Sequence, residues 1–251
     1  MYRVQRLNRK DGRLIDIICE SLKTAYDPAI ARFFVHQDVG YKKFFNSILE
    51  HPSYATFYSY DSNSNELLGF ACFQLVEEII FLKHIVVNNK LRGSKIGTKL
   101  LQYALAHIRE TTPKQEFLFQ LHVFEKNSRA LSWYLSIGMQ IIDCSYWYDL
   151  YPAIIGLSSS TDVDPSLFNV SSDSFGFKQV SYKDIYIGTW LAQKTLIVKN
   201  LELVQRLDLV AGFVKTNNIE SIGMVSRSSL DFELVDKALL MSTPINSMEF
   251  I

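Results

Sequence analysis

Hydrophobic and polar positions alternate between two periods along the first part of the chain, and the changes of period mark out an α/β order. Tyr2 to Leu7 has the length of a short strand. Apolar residues at 14, 15, 17, 18 and 22 recur at helical spacing and predict a helix over Leu14 to Ala25. Ala29 to Leu49 is a second, aromatic-rich helical region broken near Gly40. Three strand-like runs follow, Tyr54 to Tyr60, Leu67 to Val76 and Glu78 to Val87, the first two parted by the turn-forming stretch Asp61 to Asn65. Apolar residues at 96, 100, 101, 104 and 108 make one helical stripe over Ser94 to Glu110, stopped by Thr111-Thr112-Pro113. Phe117 to Phe124 reads as a strand, Ser128 to Ser136 as a helix with Asn127 as its N-cap, and Met139 to Tyr148 as a strand.

Beyond residue 152 the pattern changes. Ser158-Ser-Ser-Thr-Asp-Val-Asp-Pro-Ser reads as a linker or exposed loop, which places a boundary there and predicts domains over 1–151 and 152–251. Strands are expected over Gly176 to Val180 and Asp184 to Gln193, then a long helix over Leu196 to Val214. A strand over Ser221 to Val225, a helix over Ser229 to Leu240 and a final short strand complete the pattern. The order strand, helix, strand, helix, strand repeats that of residues 78–148, as expected of a degenerate partial copy.

The 251 residues are enough for two small domains, and 48% apolar content supplies a core for each. With 26 basic and 26 acidic side chains the formal net charge is zero, so the composition offers no bulk attraction to nucleic acid or to an anionic membrane. Cys19, Cys72 and Cys144 are odd in number and lack the paired spacing of a zinc or redox site, so no metal site is expected. The N-terminus has no signal-peptide core, and the most apolar stretch, Phe70 to Val87, is interrupted by Glu77, Glu78, Lys83 and His84. A soluble, cytoplasmic protein is expected.

Candidate chemistry gathers where a strand turns into the strongest helix. The run Ile85-Val-Val-Asn-Asn-Lys-Leu-Arg-Gly-Ser-Lys-Ile-Gly-Thr-Lys-Leu-Leu sets a glycine-containing turn between them. The first N–H groups of a helix have no internal partner and the macrodipole there is positive, so a pyrophosphate fits such a turn. An ordinary strand-to-helix connection has the same appearance.

This run resembles the cofactor motif of the GNAT superfamily of acyl-CoA N-acyltransferases, Arg/Gln-x-x-Gly-x-Gly/Ala, with Arg92 and Gly97 in place. A second block, Leu121 to Met139, resembles the superfamily's later pattern through Asn127, Ala130, Tyr134 and Gly138. The likeness covers residues 1 to about 150 and extends to the C-terminal region only as a degenerate GNAT-like unit. It departs at Lys95, where the family usually has its first glycine, and at Met139, which replaces a phenylalanine. Lys95 would crowd the pyrophosphate, pair with it, or stand in solvent.

The resemblance implies a mixed, mostly antiparallel sheet flanked by helices, with a second smaller α/β domain. It implies acetyl-CoA as cosubstrate and transfer of its acetyl group to an amine of a small molecule or peptide by direct attack on the thioester. Ile85, Val86 and Val87 would bind the pantetheine arm through their backbone. Arg92, Gly93, Ser94, Lys95, Ile96, Gly97 and Thr98 would hold the pyrophosphate, with Asn127 and Tyr134 alongside. Tyr134 would protonate the leaving thiolate, since a phenol of pKa about 10 keeps its proton at neutral pH; a core tyrosine beside Trp133 is the other reading. His122, five residues before Asn127, stands where some members carry a catalytic glutamate, and imidazole titrates near neutrality; a hydrogen-bonded structural histidine is equally consistent. Lys83 and His84 are expected on opposite faces of their strand, Lys83 with Ile85 and Val87, and neither is assigned. The aromatic wall of Phe33, Phe34, Tyr41, Phe44 and Phe45 accords with partly apolar acceptor contacts or with helix packing. A non-catalytic CoA-binding or scaffolding protein that keeps the fold is the alternative, and a homodimer is one admissible assembly.

Overall fold

The computed structural model describes residues 2–8, 11–64, 66–112, 116–157 and 163–250. Asn65, Pro113 and residues 158–162 of the expected turn, helix stop and linker lie outside these. The chain opens with β1 (Tyr2–Arg6), α1 (Gly12–Lys23), α2 (Pro28–Ala31) and α3 (Tyr41–Ile48), followed by β2 (Tyr54–Asp61), β3 (Leu67–Val76) and β4 (Ile79–Val87). Next come α4 (Ile96–Thr111), β5 (Leu118–Phe124), α5 (Ser128–Ser136), β6 (Gln140–Asp149) and α6 (Tyr151–Ile155). Strands β7 (Phe168–Ser172), β8 (Lys178–Tyr182), β9 (Ile185–Leu191) and β10 (Thr195–Val198) precede α7 (Leu207–Asn217), β11 (Ser221–Ser226) and β12 (Glu233–Pro244).

These elements form two compact units that are discontinuous in sequence. The first is made of residues 1–25, 45–144 and 239–251, the second of 26–44 and 145–238. This division differs from a linear split at 151/152, because the aromatic segment 26–44 packs with the second unit and the C-terminal residues with the first.

In the first unit β1, β2, β3 and β4 pair antiparallel in sequence order, and β5 joins β4 in parallel after the α4 crossover. The 239–244 part of β12 lies next to β5, ahead of the first residues of β6. The α4 stripe Leu100, Leu101, Ala104, Leu105 and Ile108 packs on one face of this sheet, against Phe57, Phe73, Ile80, Leu82, Phe119 and Leu121. Leu239, Met241 and Ile245 belong to the same core.

The second unit repeats this wiring. Strands β7 to β10 pair antiparallel in order, α7 crosses over, and β11 pairs parallel with β10. The strand beside β11 is the 146–149 part of β6, running antiparallel to it. Each unit therefore takes the strand flanking its parallel strand from the other half of the sequence.

One expected helix starts later than its pattern, at Leu207, and the other is a strand. The run Thr195–Val198 is β10, with a 3₁₀ turn at Leu201–Arg206 before α7, since an apolar β-branched run suits a strand buried between two neighbours. Residues 233–244 form β12 although Ala238-Leu-Leu-Met favours helix, because sheet pairing overrides local propensity. α6 and β7 flank the expected linker, whose described residues lead into a 3₁₀ turn at Pro165–Leu167.

In the second unit, His36 is 2% exposed and packs among the rings of Tyr26 (stacked, 5.6 Å), Phe34 (tilted, 5.0 Å) and Tyr41 (edge-on, 5.9 Å). Burial pushes its imidazole down to about 4. Between this value and the unfolded 6.5 the unfolded chain binds more protons, so stability present above pH 6.5 falls as the pH drops toward 4, by on the order of 3 kcal/mol. His36→Phe is expected to flatten that acid limb in urea titrations at pH 4.5 and 7, and an unchanged slope would contradict the assignment. Met241 is fully buried, and Met241→Ala should lower stability by about 2–5 kcal/mol in urea unfolding of the first unit. A loss below about 1 kcal/mol would show that β12 is peripheral to that core.

Candidate active site

Strand β4 supplies the first element of the site through two irregularities. Its pairing with β3 skips one residue, because Leu82 opposes Phe73 and His84 opposes Cys72, which leaves Lys83 as a β-bulge. Its pairing with β5 ends at Leu82 and Leu121, whereas β4 runs on to Val87 and β5 to Phe124. Past that point the two parallel strands no longer share a ladder, and the β4 backbone from Lys83 to Val87 presents donors and acceptors to the opening. The bulge also corrects the expected face of Lys83. Ile85 opposes the core residue Ala71, and Val87 lies on the α4 side, while Lys83 falls on the side of Phe81. Strict alternation fails because the bulge inserts one unpaired residue.

The turn into α4 is the second element. Asn88 Oδ1 accepts from the Lys90 N–H at 3.1 Å and starts a short 3₁₀ turn over Asn89–Leu91. Gly93 has φ +91° and Lys95 φ +61°, and Lys95 is the N-cap of α4. No side chain caps this helix, no acidic residue stands in its first turn, and its first closed bond runs from the Lys99 N–H to the Lys95 carbonyl at 3.0 Å. The N–H groups of Ile96, Gly97 and Thr98 therefore point off the helix start without intrahelical partners. Lys95 is exposed. A glycine is favoured at its position because L side chains strain a left-handed backbone, which accounts for the family's usual residue. A Cβ on Gly97 would meet Val87 at 3.4 Å and Trp133 at 3.9 Å, so the end of β4, the start of α4 and α5 converge there.

The second motif contributes α5. Asn127 Oδ1 accepts from the Ala130 N–H at 3.3 Å and caps α5, as expected from its position. Tyr134 is 5% exposed, belongs to the first unit's core, and lies 4.9 Å from the Trp133 ring. Arg129, two residues past Asn127, has Nη2 3.8 Å from where a Gly93 Cβ would stand, which brings a cation to the turn. Motif matching passed over Arg129 and Trp133, although both lie between motif positions Asn127 and Tyr134. His122 faces away from the α4 side, its ring edge-on to Phe81 at 5.3 Å. Desolvation, then the charge of Lys83, hold its pKa below the usual value, against a weaker upward pull from Asp143. His122 therefore favours its neutral form near neutrality, as a proton acceptor requires. The parts brought together are the β4 edge, the turn 92–98, Trp133 and Arg129 on one side, with Lys83, Phe81 and His122 on the other face of the strands. Among the described residues no cluster of His, Cys, Asp and Glu fit to hold a metal ion is present, and no helix is long and apolar enough to cross a membrane.

Comparison with known proteins bears on family and fold. Residues 16–139 match the family model of the Acetyltransferase (GNAT) family, so the chain carries a GNAT acetyltransferase domain over that segment. No curated protein matches it in sequence. A tandem GNAT protein from the clavulanic acid biosynthesis pathway superposes over 97% of this chain and 98% of its own, with TM-score 0.62 and 11% identity. A GCN5-related N-acetyltransferase from Sphaerobacter thermophilus covers 100% of this chain and 97% of its own, with TM-score 0.55 and 9% identity. The PaiA N-acetyltransferase from Thermoplasma acidophilum, solved with coenzyme A, covers 57% of this chain and 92% of its own at 18% identity and TM-score 0.47. At such identities the full-length similarities establish a fold, that of a GNAT domain followed by a second GNAT-like unit.

Lys95→Gly should stabilise the first unit by about 0.5–1 kcal/mol, the left-handed strain relieved less the entropy a glycine adds to the unfolded chain. Thermal unfolding checks this, and a lowered midpoint would show that the lysine side chain is itself a structural contact.

Proposed function

We propose that the first unit transfers an acetyl group from acetyl-CoA to an amine acceptor. The observation that carries this reading is the parting of β4 from β5 immediately before an uncapped helix start. It pairs an open backbone edge for a pantetheine arm with converging N–H donors for a pyrophosphate. In this reading Ile85, Val86 and Val87 take the arm. Arg92, Gly93, Ser94, Lys95, Ile96, Gly97 and Thr98 hold the pyrophosphate, with Arg129 as an added cation. Asn127 shapes the start of α5, and Tyr134 stands behind it.

The acceptor nitrogen forms its bond to the thioester carbonyl carbon, the C–S bond breaks, and the thiolate leaves. His122 accepts the proton that the ammonium must lose before attack, Tyr134 gives one to the thiolate, and the second proton shed by the nitrogen as the amide forms restores the phenol. A β4 backbone N–H steadies the oxyanion formed on attack. The second unit has no such opening, since the β10–β11 ladder continues to the last residue of β10. The first turn of its α7 carries Asp208, whose carboxylate is ion-paired to Arg206 at 3.1 Å and opposes an incoming anion. The second unit is accordingly read as a non-catalytic copy.

Tyr134→Phe is expected to lower kcat for thiol release about ten-fold or more while acetyl-CoA affinity changes less than about two-fold. A large loss of affinity with kcat preserved would contradict the general-acid role. Acetyl-CoA binding without turnover of any amine would favour the non-catalytic alternative.

A further inference from the structure

The bulged Lys83 points to the class of acceptor. Its ammonium lies 5.5 Å from the centroid of the Phe81 ring, whose other neighbour is the His122 ring at 5.3 Å. Gln120, the ladder partner of Phe81, extends the same face and donates through Nε2 to Ser242 Oγ at 3.3 Å. An aromatic ring flanked by an ammonium and an imidazole therefore floors the place where β4 and β5 part. Lys83 is exposed on this face, and among the described residues no carboxylate forms an ion pair with it.

An ammonium set beside the imidazole where β4 and β5 part favours an incoming ligand that carries an anionic group within its reach. One ammonium balances a single negative charge, which matches a carboxylate better than a phosphate. The same charge repels a polycationic acceptor. The Phe81 face offers an apolar surface for the carbon skeleton that joins the two ends of the ligand.

We propose that the acceptor is an amine that also bears a carboxylate, that Lys83 is the specificity-determining residue for that carboxylate, and that Phe81 supports the skeleton between them. This rests on the transferase reading. The carboxylate held at Lys83 anchors the acceptor on the face that carries His122, the group that receives the ammonium proton.

The test measures thiol release with phenylalanine, leucine and glutamate, each beside its α-amide and its decarboxylated amine, and with spermidine. Acetyl-CoA binding is titrated separately by calorimetry. Free carboxylates should be the better acceptors. Lys83→Gln should raise KM for them roughly ten-fold or more, with kcat and acetyl-CoA affinity changing less than about two-fold, and Lys83→Arg should recover part of the loss. Equal or better turnover of the amides, amines or spermidine would overturn the proposal. So would an unchanged preference in Lys83→Gln, or acetyl-CoA binding without acetylation of any carboxylate amine. Absence of acetyl-CoA binding would instead overturn the transferase reading, and this proposal with it.

Discussion

The strand exchanged between the two halves of the sequence is the constraint on which the rest depends. Residues 239–244 of β12 flank β5 in the first unit, and residues 146–149 of β6 flank β11 in the second. A parallel strand at the edge of a sheet leaves a row of backbone groups unpaired, and covering it is favourable for the ladder and for the core beneath. In the first unit the cover also delivers Leu239, Met241 and Ile245 to the α4 core. Residues 239–251 thus belong to the first unit although they lie in the second half of the chain.

With that edge covered, β5 is held on one side only up to Leu121 on the other, and the opening against β4 becomes a defined feature of a stable sheet. The same parallel pair in the second unit stays in register to the end of β10. One wiring thus yields two outcomes, parallel strands that part where β4 outruns its ladder and a ladder that continues to the end of β10. The bulge at Lys83 sits one residue past the last ladder pair, so the device that re-aims a side chain lies where the strands separate.

Much of this was legible in the sequence where local chemistry and tertiary demand agree. The α4 stripe, the three antiparallel strands before it and the Asn127 cap follow directly from periodicity and capping preference. Lys95 could be flagged only as a departure; its left-handed backbone supplies the reason a glycine is usual there. The Lys83 bulge was hidden, because alternation assumes an uninterrupted ladder and nothing in Phe81-Leu-Lys-His-Ile marks an extra residue. Residues 233–240 were misread for the opposite reason, a helix-favouring composition that serves as a strand once neighbours pair with it. The discontinuous units were out of reach as well, since nothing local in residues 26–44 states which core their aromatic side chains enter.

Calorimetric titration of the intact chain with acetyl-CoA tests the central claim most directly, because it counts sites as well as detecting them. The account predicts binding at one site per chain, in the first unit, with ATP as a non-binding control. Two sites would contradict the non-catalytic reading of the second unit, and no binding would contradict the function assigned to the opening between β4 and β5.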